Sequence, residues 1–112
     1  MGWLSRIFPG LKKPETPPVV ANATTPTGET IPPAKVGLNG EFDESGLAKR
    51  VVVAFDDDAQ LDDIETLWVA QLSGKVVLKG KVPSQELLDK AVSVASSVEG
   101  AEGVDTSGVT IG

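Results

Sequence analysis

From Lys75 to Val82 the chain alternates, with Val76, Leu78, Gly80 and Val82 on every second position, and Pro83 closes the run. A period of two puts those side chains on one face of a strand, and a proline cannot donate to a ladder, so the chain must leave the sheet at that point. The next stretch has the period of a helix. Ser84 suits an N-cap, Glu86 sits in the positive first turn, Leu87, Ala91, Val94, Ala95 and Val98 form one stripe, and Gly100 stops it. A Gly-rich strand from Val104 to Ile111 comes last. That order describes a small binding module and argues against an active site.

Upstream, Leu47, Val51 and Phe55 recur every four residues with Ala48, Val52 and Ala54 beside them. The spacing predicts a helix from Asp43 or Ser45 to about Asp57, in spite of three consecutive β-branched valines. Ile64 to Leu72 is β-like and Gly74 signals a turn, so Lys75–Val82 is the second arm of a hairpin. The expected fold is α+β: a small αββαβ sandwich with a three-stranded mixed sheet, two helices on one face, and a disordered N-terminal tail.

The length of 112 residues and six prolines between Pro14 and Pro33 leave room for one small domain and a tail. We expect residues 1–13 to be an amphipathic anchor or docking peptide, 14–40 a Pro-rich linker and 41–112 the domain. Charge divides the chain the same way. Residues 1–13 carry Arg6, Lys12 and Lys13 with no acid, whereas residues 41–112 carry 14 acidic against 6 basic side chains. So acidic a domain disfavours nucleic acid, which needs clustered cations to displace counterions from phosphates. There is no cysteine and no histidine, and hence no disulfide, no thiolate metal site and no ordinary base for a serine nucleophile. Tyrosine is absent as well. An enzyme is the poorest fit, and no catalytic residue, metal site or cofactor is expected. The cluster Asp56, Asp57, Asp58, Asp62 and Asp63 lacks the alternating ligands and sixth-position glycine of a calcium loop. It reads as a solvated loop, with a weak cation site as the rival.

The run Gly74 to Asp105, GKVVLKGKVPSQELLDKAVSVASSVEGAEGVD, resembles the BON domain (bacterial OsmY and nodulation): a hairpin reading G-x-V-x-L-x-G-x-V, a helix, then a Gly-Val step before a short strand. Ala101 stands where the family usually has Val, and Gly108 reads as an extra residue before Val109. The resemblance implies an αββαβ domain without catalysis that binds phospholipid surfaces, partner proteins or, beside a LysM domain, potassium.

Two sets of residues are candidates for function. In the N-terminal stretch Trp3, Leu4, Ile7 and Phe8 form one helical stripe; with Leu11 they would enter an anionic membrane while Arg6, Lys12 and Lys13 meet phosphates. The alternative is a scaffold or assembly protein whose N-terminal peptide docks in a groove on a partner protein. A helix this short needs a surface to fold on. On the sheet, alternation puts Trp68, Lys75, Val77, Lys79 and Lys81 on the face away from the helices, a patch for an anionic head group or for self-association, unless Trp68 is shielded by the linker. With no signal-peptide pattern and no apolar run long enough to span a bilayer, the expected place is cytoplasmic and peripheral, at the membrane face.

Overall fold

In the computed structural model, residues 3–10, 20 and 23–112 are described. The elements in chain order are α1 (Trp3–Ile7), a 3-10 turn (Pro33–Lys35), α2 (Gly46–Asp56), β1 (Leu67–Leu72), β2 (Lys75–Val82), α3 (Gln85–Ser97) and β3 (Gly103–Ile111). From α2 onward this is the expected αββαβ order, in a three-stranded sheet ordered β1-β2-β3. β1 and β2 pair antiparallel around Ser73 and Gly74, and β2 and β3 pair parallel, so the sheet is mixed.

The alternation of β2 works as read. Val76, Leu78 and Val82 are buried beneath the helices with Leu67 and Val69 of β1. Gly80 stands at the remaining inward position with φ 114°, where an added Cβ would lie 2.2 Å from the carbonyl oxygen of Thr66. Only glycine lets the two strands approach there. The hydroxyl of Ser84 accepts the N–H of Leu87 at 3.3 Å, the predicted cap of α3, and Leu88, Ala91 and Ala95 face the core. α2 begins after Ser45, whose side chain makes no cap bond; Asp43 instead accepts the Ser45 N–H at 2.9 Å and pairs with Lys49.

β3 accommodates the extra residue before Val109 as a bulge. Val77 pairs with Asp105 and Lys79 with Gly108, so Leu78 stands opposite both Thr106 and Ser107. The Asp105 carboxylate accepts the Ser107 N–H at 2.9 Å and holds the irregular turn of backbone.

The described N-terminal residues depart from an anchor held off by an extended linker. α1 packs on the domain itself: Trp3, Leu4 and Ile7 belong to the same buried cluster as Leu47, Val51, Phe55, Leu61 and Leu78. Between Thr24 and Thr30 the chain makes an antiparallel bridge, and Val36 bridges to Phe42. Val20, Ile31 and Val36 form a second small cluster. The physical reason is that Ala34 and Leu38 join the main cluster beside α2, whose face the αββαβ unit leaves uncovered, while Val20, Ile31 and Val36 bury one another. Arg50 fastens the arrangement. Only 8% exposed, its guanidinium donates to the carbonyls of Val36 (2.8 Å), Pro33 and Glu99. Burial lowers its pKa, opposed by the nearby Glu99 carboxylate.

Candidate functional site

Among the described residues, no element covers the side of the sheet away from α2 and α3. Successive residues of a strand point to opposite faces, so once Val76, Leu78 and Val82 point inward, Lys75, Val77, Lys79 and Lys81 point outward. The antiparallel register then brings Trp68 beside Lys79, Ala70 beside Val77 and Leu72 beside Lys75. Trp68 is 46% exposed and Leu72 71%. Residues 31–40 lie along α2 and the Ser73–Gly74 turn, where Gln71 donates to the carbonyls of Ala34 and Ser73 at 2.9 Å. They leave Trp68 uncovered. The face therefore unites Trp68 and the three lysines expected on it with a second apolar side chain, Leu72, which is more exposed than Trp68.

Asp105 borders the face on the β3 side. Its carboxyl is held below the usual range first by the Ser107 N–H, then by the Ser107 hydroxyl, with Lys75 and Lys79 contributing. It stays ionised and offsets part of the lysine field. The stem of Lys79 lies over Gly108, where an added Cβ would stand 3.1 Å from Cγ. A side chain there would push the ammonium away from the strand.

The N-terminal candidates are held elsewhere and by specific bonds. The Trp3 indole donates to the Leu61 carbonyl at 2.8 Å, and its ring meets Phe55 edge-on at 5.0 Å. Asp56 accepts the backbone N–H groups of Trp3 (2.7 Å) and Leu4 (3.1 Å), satisfying two donors that a helix start leaves unpaired. Arg6 lies 4.5 Å over the Trp3 ring and donates to the Ile64 carbonyl. Burial lowers the Arg6 pKa, while Glu65 and Asp56 oppose the shift. Phe8 is partly buried with Lys49 5.5 Å above it. Leu11, Lys12 and Lys13 lie outside the described residues.

Of the acidic cluster, Asp56 caps α1 and Asp58 receives Lys90 at 3.3 Å and the Gln60 N–H at 2.9 Å. Among the described residues, no three acidic side chains gather in a way that could hold a metal ion. A shallow groove of about 410 Å³ opens between Pro32–Lys35, Ser73–Gly74 and Glu99–Glu102. Sequence reasoning missed Arg50; its signal was a lone arginine within the apolar run of α2.

A family model, the BON domain, matches residues 43–112. The chain belongs to the BON domain family. The match takes in both helices and all three strands of the αββαβ unit, while α1 and the Arg50-bound Pro33–Val36 segment lie before it. BON domains are in general noncatalytic binding domains, with phospholipid as a general ligand. In this BON domain the Trp68 face and the α1 dock are separate: one is open to solvent, the other is closed by the chain's own residues.

Proposed function

We propose that this protein is a noncatalytic adaptor whose open sheet face rests on an anionic phospholipid surface. Trp68 and Leu72 enter the interfacial layer, and Lys75, Lys79 and Lys81 meet the phosphates. The cross-strand pairing of exposed Trp68 with Lys79 carries this reading, because it puts an amphipathic ring and a cation side by side on an otherwise acidic domain. Each lysine near an anionic leaflet contributes about 1 kcal/mol, and burying each large apolar side chain about 1.5–3 kcal/mol. Localisation and the like-charge acids offset much of that, so attachment is weak, reversible and salt-sensitive. Trp3, Leu4 and Ile7 are occupied within the core and do not supply the attachment in this reading.

The test is co-sedimentation of the full chain with vesicles containing zero or about 30% anionic lipid, at low and high salt. Binding should need anionic lipid, fall with salt, and be lost in Lys79→Glu and reduced in Trp68→Ala. Equal binding by the parent chain and both variants would overturn it, as would no binding at low salt.

A further inference from the structure

The strand register sets three rows across the face that carries Trp68: Leu72, Lys75 and Gly103; Ala70, Val77 and Asp105; Trp68, Lys79 and Gly108. The middle row has small side chains on β1 and β2 and a carboxylate on β3. The rows on either side of it, about 7 Å away along the strands, each carry a large apolar side chain, a lysine and a glycine. The result is a notch floored by Ala70 and Val77. Trp68 and Leu72 wall it on β1, Lys75 and Lys79 flank it on β2, and Asp105 ends it on β3 with bare backbone to either side.

Asp105 is fixed in place without being paired. The bulge turns the Ser107 N–H onto its carboxylate at 2.9 Å, and bulges re-aim side chains in this way. Lys75 and Lys79 act on it through space, yet no ion pair among the described residues takes in Asp105 or any of the three lysines. The Lys79 stem leans over Gly108, toward the strand of Asp105 and away from Trp68. A carboxylate has about four acceptor positions, so Asp105 keeps room for a donor from outside. Cations and an anion on neighbouring strands, about 4.8 Å apart, complement a ligand that carries both signs at that separation.

We propose that this notch receives the phosphoethanolamine head group of a membrane lipid, with the phosphate over Val77 between Lys75 and Lys79, the ammonium on Asp105, and the acyl side toward Trp68 and Leu72. The proposal rests on the lipid-surface reading above and names one head group within it. The order across the sheet, apolar on β1, cationic on β2 and anionic on β3, is the order of acyl chain, phosphate and ammonium within that lipid. Two carbons separate phosphate from nitrogen, a span comparable to one strand spacing. A choline head group fits less well. Its nitrogen has no N–H to donate to Asp105, and quaternary ammonium is recognised by cages of several aromatic faces, where these three rows hold Trp68 alone. A head group of negative charge only would meet the lysines and be repelled by Asp105, so anionic lipid supplies general attraction and the ethanolamine lipid the specific contact.

The test sediments the full chain at low salt with vesicles of about 30% phosphatidylglycerol, the remainder being phosphatidylcholine alone or with half of it replaced by phosphatidylethanolamine. The ethanolamine vesicles should bind about fivefold more tightly, the effect of one added charge-assisted hydrogen bond. Asp105→Asn keeps an oxygen for the Ser107 N–H, so the bulge stands. It should bind the choline vesicles more tightly than the parent chain does, yet gain nothing from ethanolamine. Free O-phosphoethanolamine at about 10 mM should move the amide signals of Val77, Lys79 and Asp105 in the isotope-labelled chain more than O-phosphocholine does, without releasing the chain from vesicles. Equal binding of the parent chain to both kinds of vesicle overturns the proposal. So does an ethanolamine gain that survives Asp105→Asn, the mark of looser lipid packing alone. Release by free O-phosphoethanolamine makes the ligand a soluble one and overturns its assignment to a lipid. Failure to bind either vesicle sinks the lipid-surface reading itself, and this proposal with it.

Discussion

The indole N–H of Trp3 is bonded at 2.8 Å to the carbonyl of Leu61, a residue 58 positions further along the chain. The bond is buried, and it makes α1 part of the BON sandwich's core although the helix lies outside the matched region. Trp3 also meets Phe55 edge-on, so its removal opens a cavity and takes from the Leu61 carbonyl one of its two donors, the other being the Ile64 N–H. Trp3→Ala is expected to cost about 3–5 kcal/mol, read from urea denaturation of the full chain. Trp3→Phe keeps most of the packing and should cost about 0.5–1.5 kcal/mol for the lost hydrogen bond, since the Leu61 carbonyl keeps the Ile64 N–H. A Trp3→Ala loss below about 1 kcal/mol would show that α1 does not share the core.

Asp56 joins the two helices by accepting the N–H groups of Trp3 and Leu4. Asp56→Ala removes both acceptors from the start of α1 and is expected to destabilise the chain by about 1–2 kcal/mol, as loss of a helix cap does. In a Trp68→Phe background, Trp3 fluorescence reports the same event. Its emission should move to the red as α1 loosens, and an unmoved spectrum with unchanged stability contradicts the capping role.

Arg50 serves three backbone carbonyls from three places in the chain. Arg50→Met keeps the stem and leaves the buried Val36 carbonyl and the part-buried Pro33 and Glu99 carbonyls without their donor, so the expected loss is about 1–3 kcal/mol by denaturant titration. Arg50→Lys should recover only part of it, because one ammonium cannot reproduce the planar fork. Full rescue by lysine would mean that charge, rather than geometry, holds the Pro33–Val36 segment.

Gly80→Ala tests the close approach of β2 to Thr66. Both the positive φ and the 2.2 Å gap oppose a side chain. The expected loss is at least about 1–3 kcal/mol, seen as a lower thermal midpoint, with Gly103→Ala as a control, since an added Cβ there meets nothing within 4 Å.

Asp105 and Asp58 both have carboxyl pKa values depressed by hydrogen bonds, from Ser107 and from Gln60 respectively. A depressed folded-state value means the unfolded chain binds protons first, so these groups add stability above the unfolded carboxylate range and lose it as pH falls through their folded values. Carbon-detected titration should find both below the ordinary aspartate value. Asp105→Asn should flatten the acid limb of the stability curve, and by removing a negative charge beside Lys75 and Lys79 it should strengthen binding to anionic vesicles.

Local chemistry is what the sequence could state. The alternation of Lys75–Val82, the stop at Pro83, the Ser84 cap and the periodic stripe of α3 are rules of neighbouring residues, and the strand and helix they imply are present. The lysine face with Trp68 came from the same period of two, since facing in a strand is settled by parity. Even the extra residue near Gly108 was legible, and the sheet absorbed it as a bulge. The destination of Trp3, Leu4 and Ile7 was not. An amphipathic stripe states that a surface is needed without stating whose, and only the folded domain shows that α2 offers one. Likewise Ile31, Val36 and Leu38 looked too sparse to order a Pro-rich stretch, yet Leu38 reaches the domain core, Ile31 and Val36 pack with Val20, and Arg50 holds the Val36 carbonyl from within a helix. Tertiary structure decided those contacts, since long-range packing depends on which faces the αββαβ unit leaves uncovered, and no run of neighbouring residues carries that information.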